Sequence, residues 1–271
     1  MLLRSADGTS YDEVLAAAEP AIIGTCQTIL PNGPWCFWDE AANLDVMLLD
    51  ITSSLASVTE AEVLAGANAA LVGDEILQFR TASLIAPATY RLSGLLRGRL
   101  GTDHRTATHA AGERFVLLSG GAGLDRVRDS LALRGLMRQY KAASLYQAES
   151  AVAASAFSNT AEGLRPLSPV HIAGTRDAAA NLAISWIRRT RIPSAWSDGA
   201  DVPLGEASER YEVEVLSGST VVRTIAATTP AATYTAAEQA ADFGAAQAAI
   251  TVRITQLSET VGRGTPRTAT I

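Results

Sequence analysis

Short segments in which every second residue is apolar recur through the second half of the chain, and this period excludes a mainly helical fold there. Leu182, Ile184 and Trp186 occupy alternate positions of one such segment, and the ranges 211–215 and 250–254 repeat the pattern. Residues two apart lie on the same face of a β-strand, so each segment predicts a strand with one face in a core and one in water. About seven such strands in about 105 residues are typical of a β-sandwich of the immunoglobulin or fibronectin type III kind.

The first part of the chain also shows strand signals. Ala69–Val72 and Glu75–Arg80 flank Gly73-Asp74, a pair of residues suited to a tight hairpin turn. Thr59 and Glu62 have the spacing of a capping box, which predicts a helix of about two turns between strands. Thr235 and Glu238 have the same spacing and predict a helix of one to two turns that stops at Gly244. The sequence therefore predicts an all-β chain that contains little helix.

The domain organisation follows from these patterns. Residues 1–118 are predicted to form a mixed β-barrel or sheet domain, and residues 163–271 a fibronectin type III-like β-sandwich. Residues 119–162 form a connector that contains Arg134–Tyr140, a possible strand, and Tyr146–Ala156, an alanine-rich segment with helical propensity.

Composition limits the class of function. The formal net charge of -6 argues against a general nucleic-acid binder, because neutralising phosphates requires clustered positive charge. No apolar stretch reaches the roughly 18 residues of a membrane span. Cys26 and Cys36 have no zinc-type Cys/His grouping around them, and buried free thiols are expected.

No constellation of residues predicts catalysis or a cofactor. His104 and His109 are five positions apart and lack a Glu-x-x-His companion, so they are interpreted as ordinary loop histidines rather than metal ligands. Asp39-Glu40 is a carboxylate pair of the kind that a glycosidase needs. Such acids at strand ends are usually only solvated, so catalytic, cofactor-binding and metal-binding residues are all predicted to be absent.

Two aromatic segments are candidate contact sites. Trp35 and Trp38 follow a Pro- and Gly-rich turn, where they either contact a partner or sugar or fill the centre of a domain poor in aromatic residues. Trp196, Asp198 and Asp201 lie in a long loop between two predicted sandwich strands. Loops at the ends of sandwiches often bind partners, although a tryptophan there also packs on the sandwich flank.

Seven segments in collinear order carry a family resemblance. They are Trp38–Ala41, Ser57–Ala69, Glu75–Phe79, Tyr90–Thr102, Gly163–His171, Trp186–Arg191 and Val261–Ala269. These segments resemble the C-terminal part of the tail hub, or host-specificity, protein of gene transfer agents and related siphophages. Longer members of that family carry hub domains and a TIM-barrel-like, glycosidase-related domain ahead of this region, so the activity of that domain is not carried over to this chain.

The resemblance implies a structural component of a virion tail tip or baseplate, assembled in the host cytoplasm. Hub, distal-tail and fibre proteins are the implied partners, and several copies around the tail axis, as in trimeric tail tips, are implied too. One alternative is an adhesin that binds host-surface glycans through Trp196 or through Trp35 and Trp38. A lesser alternative is a cell-wall hydrolase.

Overall fold

The protein is all-β, as its sequence predicts, and divides into two compact units, Met1–Thr160 and Ala161–Ile271. The structure is a computed structural model, and the residues that it describes are 1–17, 19–119, 123–144, 146–192 and 201–271.

A closed barrel of six antiparallel strands dominates the first unit. In barrel order β3-β4-β7-β6-β5-β8, the strands are Ile23–Cys26 (β3), Leu44–Leu48 (β4), Thr89–Leu96 (β7), Glu75–Ala86 (β6), Ala69–Val72 (β5) and Arg114–Leu117 (β8). Leu77 and Phe79 are fully buried in its core, as the alternation in their segment predicts. The predicted hairpin between β5 and β6 is confirmed.

The helix α1, Glu60–Leu64, covers part of the outer barrel wall. Thr59 and Glu62 form the predicted capping box at its start. The side-chain amide of Gln78 donates hydrogen bonds of 2.5 Å to the carbonyl oxygen of Val63 and of 2.9 Å to that of Ala67. Gln78 is therefore buried, although the alternation of β6 predicts that it faces away from the core.

A four-stranded antiparallel sheet completes the first unit. Its strands, in the order β10-β9-β1-β2, are Ser155–Ser158 (β10), Met137–Ala142 (β9), Leu2–Ser5 (β1) and Asp12–Leu15 (β2). The segment interpreted as a connector thus supplies two strands that join the start of the chain. The helix predicted within Tyr146–Ala156 is wrong: the segment contains a single 3-10 turn and the start of β10, which takes its backbone partners from β9.

The second unit is a β-sandwich. One sheet has the order β11-β12-β15 and the other β14-β13-β16, with β17 and β18 both paired to β16. The strands are Val170–Arg176 (β11), Leu182–Ile187 (β12), Tyr211–Ser217 (β13), Thr220–Ala227 (β14), Ala231–Tyr234 (β15), Thr251–Ser258 (β16), Gly262–Arg263 (β17) and Arg267–Thr270 (β18). The first, second and fifth strands form one sheet and the remaining strands the other, which is the fibronectin type III arrangement, with β17 and β18 as an interrupted last strand.

The sandwich core contains the apolar residues that the alternation predicts. Leu182, Ile184 and Trp186 are buried on β12, and the Trp186 ring meets Tyr211 edge-on with 5.0 Å between ring centroids. The helix α2, Ala236–Phe243, follows β15. It begins at the predicted capping box and ends at Gly244.

Candidate functional site

A fully buried arginine organises one end of the barrel, which we call the loop end. Arg97 follows β7, and its guanidinium donates to both carboxylate oxygens of Glu75 over 2.9–3.1 Å. It also donates to a carboxylate oxygen of Asp39 at 3.3 Å and to the carbonyl oxygens of Pro31 at 3.0 Å and Thr106 at 3.2 Å. One side chain thereby ties the β3–β4 connection, the β7–β8 connection and the start of β6 together.

Glu75 is the acceptor at the centre of this network and is fully buried. Besides Arg97, the backbone amide of Gly98 donates to it at 2.6 Å, and the Nε2 atom of His109 lies 2.6 Å from its Oε2 atom. Burial, the largest single influence, raises the pKa of Glu75. The hydrogen bonds from His109, Arg97 and Gly98 together outweigh burial and hold this pKa below its ordinary value, so the carboxylate stays ionised.

His109 is not the ordinary loop histidine that the sequence suggests. Its side chain is 2% exposed, and its Nδ1 atom lies 2.7 Å from Glu113 while its Nε2 atom faces Glu75. Burial favours the neutral ring, but the hydrogen bonds and charges of the two carboxylates outweigh it and raise the pKa of His109. Its spacing from His104 gave no sign of this role, since one partner, Glu75, comes from β6 and the other, Glu113, lies four residues further along the same connection.

The residues 31–39, which we call the aromatic loop, are held on this network. Phe37 is 63% exposed, whereas Trp35 and Trp38 are partly buried. A side chain added at Gly98 would come within 3.0 Å of the Cβ atom of Trp35, so the two connections touch there. The guanidinium of Arg80 lies over the Trp38 ring at 5.3 Å from its centroid.

The structure of the aromatic loop contradicts two expectations from the sequence, one of them only in part. The alternative that Trp35 and Trp38 fill the centre of a domain is wrong, because both rings lie outside the buried cluster of the barrel. The expectation of two buried thiols is half wrong: Cys26 is buried, but Cys36 is exposed. Whether Trp35 and Trp38 bind a partner stays a prediction.

The carboxylate pair considered for hydrolysis is split by the fold. Asp39 is buried and bound to Arg97, whereas Glu40 is exposed and its carboxylate lies 2.8 Å from Arg80. The two carboxylates therefore pair with different arginines, Asp39 with Arg97 and Glu40 with Arg80. Among the described residues, no group of three or more His, Cys, Asp or Glu side chains is placed to hold a metal ion.

The predicted contact loop of the sandwich is described only at its ends. Trp196 and Asp198 lie outside the described residues. Asp201 is exposed, and its Oδ2 atom lies 2.8 Å from Arg188, which also binds Glu209 at 3.2 Å.

The other end of the barrel is apolar, a feature that sequence reasoning missed. The backbone amide of Leu48 donates to the carbonyl oxygen of Ala88 at 2.8 Å, and the amide of Leu49 donates to the carbonyl oxygen of Ile23 at 3.0 Å. The end of β4 therefore lies beside the β6–β7 turn and the start of β3. The large exposed side chains there, which we call the apolar rim, are Ile23, Met47, Leu49, Ile51, Leu84 and Ile85. Alternate residues of β4 face the barrel core, so an unbroken apolar run such as Met47–Leu49 must place some apolar side chains outside it. That run was the sequence signal for the apolar rim.

Comparisons with known proteins match the barrel to one family model. The model is described as "Rcc01698-like, C-terminal" and matches residues 21–116, a range that corresponds closely to β3 through β8. No curated protein matches.

Among solved structures, the chain is similar to domains d3-d4 of the rat CD45 extracellular region, at 14% identity and a TM-score of 0.29. That match covers 57% of this chain and 71% of the other. It is also similar to the FN1-FN3 domains of chicken CNTN1, at 10% identity and a TM-score of 0.27, over 93% of this chain and 68% of the other. The strand order of the sandwich, rather than these low scores, defines its fold.

Within the described part of the chain, neither helix has the length and apolar character needed to cross a bilayer.

Proposed function

We propose that the chain is a non-enzymatic structural module of a phage-type or gene-transfer-agent tail tip, which assembles by packing against other tail proteins. The observation that carries this proposal is the apolar rim of the barrel. Hub, distal-tail and fibre proteins are the proposed partners, in several copies around the tail axis.

The exposure of the apolar rim supports a contact role. Ile51 is 83% exposed, Leu84 64% and Leu49 61%. Single exposed apolar residues are ordinary, but a group of them at one end of a domain is typical of a protein-binding surface. Covering them would contribute about 25 cal/mol for each Å² of apolar area removed from water. Four of the six residues lie on barrel strands, and Leu49 and Ile51 lie in the short turn that follows β4, so little ordering entropy opposes association.

The tail-tip context is supported by the similarity of sequence. The family model covers the barrel, and the segments that resemble tail hub proteins include Ser57–Ala69 and Tyr90–Thr102 within it. The second of these segments contains most of β7 together with Arg97, and its first residue, Tyr90, pairs with Leu84 of the apolar rim.

A pair of variants tests the proposal on whole particles. Leu49→Asp combined with Leu84→Asp charges the apolar rim, whereas Leu100→Asp is the matched control because Leu100 is 81% exposed in the β7–β8 connection. We expect the rim variant to keep the wild-type circular dichroism spectrum and Tm but to be missing from purified tails, while the control is incorporated. Immunogold labelling of wild-type particles should mark the distal end of the tail. Normal incorporation of the rim variant, or absence of the wild-type chain from particles, would refute the proposal.

A second candidate function, binding of a host-surface glycan, is favoured by the exposed ring of Phe37 between Trp35 and Trp38. Aromatic rings stack on sugar faces, and this ring is held on a well-anchored loop. Phe37→Ala and Trp35→Ala should then abolish adsorption and glycan-array signal while tails still assemble. Unchanged adsorption in both variants would remove this candidate.

A further inference from the structure

We propose that His109 is a protonation-dependent latch for the loop end of the barrel. With a charged imidazolium the aromatic loop and the connection between β7 and β8 are fixed. With a neutral ring both segments open more often. This inference does not depend on the tail-tip role.

The geometry requires a charged ring. Ionised carboxylates only accept hydrogen bonds, so a ring whose two nitrogens both face carboxylate oxygens must carry a proton on each nitrogen. The Nε2 atom of His109 faces Glu75 at 2.6 Å, and its Nδ1 atom faces Glu113 at 2.7 Å. A neutral ring has one donor only, and it would leave a lone pair directed at a carboxylate.

The charges around the ring make the loss of its second proton costly. The charged groups around His109 are Glu75 on β6, Glu113 before β8, Arg97 after β7 and, beyond Arg97, Asp39, and Cys26 on β3 lies near Glu113. Burial and the nearby Glu113 charge raise the pKa of Cys26 to about 12, so this thiol is neutral. With the imidazolium present, two cations face three carboxylates. Without it, Arg97 still contacts Glu75 and Asp39, but Glu113 loses its contact with the imidazolium.

Hydrogen bonds transmit the state of His109 to both loops. The carboxylate of Glu75 holds Arg97 and the amide of Gly98, and Arg97 in turn holds the aromatic loop through Pro31 and Asp39. A neutral ring that keeps its proton on Nδ1, facing Glu113, no longer donates to Glu75 and therefore weakens the shared anchor of both connections. Because the side chain of His109 is 2% exposed, water does not readily replace the lost bond.

The sign of the pH dependence follows from the raised pKa of His109. A group whose pKa is raised by folding contributes its full stabilisation below the unfolded value, here 6.5, and loses it as the pH rises through the folded value. The latch is therefore closed at pH 6.5, where the ring is charged, and opens as the pH rises through the raised pKa of His109.

Two measurements on the full chain test the latch. NMR of the ring nitrogens should show His109 titrating above 6.5. Hydrogen exchange of residues 31–39 and 98–108, divided by the intrinsic rate at each pH, should accelerate at least about tenfold above the midpoint, as expected for one lost charge-assisted hydrogen bond. In His109→Gln this pH step should disappear. His104→Gln, at an exposed histidine of the same connection, should retain it.

A second variant covers the case in which His109→Gln does not fold. Glu113→Gln removes one of the two facing charges, so it should lower the titration midpoint of His109 and shift the exchange step to lower pH. A His109 midpoint at or below 6.5, a pH-independent exchange rate in the wild type, or an unshifted step in Glu113→Gln would overturn the proposal.

Discussion

Replacing Arg97 by methionine should strongly destabilise the barrel. Methionine keeps the unbranched apolar stem of the arginine but removes its charge and its six hydrogen bonds to Glu75, Asp39, Pro31 and Thr106. The carboxylates remain: Glu75 is fully buried and Asp39 is 5% exposed. Neither can recover its lost partner from solvent without opening the loop end.

The expected cost is about 3–5 kcal/mol, the range observed when one partner of a buried ion pair is removed. This is a large share of the roughly 5–15 kcal/mol that stabilises an ordinary domain. Adding Glu75→Gln to Arg97→Met should restore part of the lost stability, because it removes the buried carboxylate charge that the guanidinium no longer neutralises.

Native-state hydrogen exchange of β6 and β7 in increasing urea measures this change in the barrel without interference from the sandwich. Arg114→Met is the matched control, since Arg114 is also on the barrel and pairs with Asp74 at 2.9 Å, but both side chains are about 60% exposed. Its expected cost is about 0–1 kcal/mol. If Arg97→Met destabilises β6 no more than Arg114→Met does, the buried network does not hold the loop end.

Three further predictions concern single positions. Gly98→Ala should be more destabilising in urea unfolding than Gly112→Ala: both have positive φ, which costs about 1–2 kcal/mol for alanine, but only at Gly98 would the new Cβ atom meet backbone, at 2.6 Å. Cys36 should react with a thiol reagent at once and Cys26 only on unfolding, so equal rates would contradict the burial and raised pKa of Cys26. Thr235→Ala should cost about 1 kcal/mol by removing the α2 cap, and an unchanged Tm would speak against the capping box.

The sequence predicted an element correctly where the interacting residues are close together in the chain. The two capping boxes, the hairpin at Gly73-Asp74 and the alternation of Leu182, Ile184 and Trp186 all appear as predicted. The helix expected from alanine-rich Tyr146–Ala156 is absent, and only the last two residues of the segment pair with β9. Helix propensity amounts to a few tenths of a kcal/mol per residue, which is marginal for a segment of this length.

The loop end could not be predicted because its members come from distant positions. Arg97 and Glu75 are 22 positions apart and His109 and Glu75 are 34 apart, so no spacing rule connects them. The glycines on either side of Arg97 were the available signal: Gly94 and Gly98 both have positive φ, so the backbone departs from extended strand geometry before and after the arginine. Contact residues Trp196 and Asp198 lie outside the described residues, so their role stays a prediction.

The pairing of β1 with β9 affects how the chain is made. Leu2 lies opposite Ala142, and the amide of Ala143 donates to the carbonyl oxygen of Met1 at 2.9 Å. At a synthesis rate of about 5–20 residues per second, the first strand leaves the ribosome roughly 7 to 28 s before its central partner does. Of the two strands that flank β1 in this sheet, only β2 is available throughout that interval, so the edge of β1 that later pairs with β9 stays open. Such an edge is a place for a chaperone, or a neighbouring copy on the same polysome, to bind.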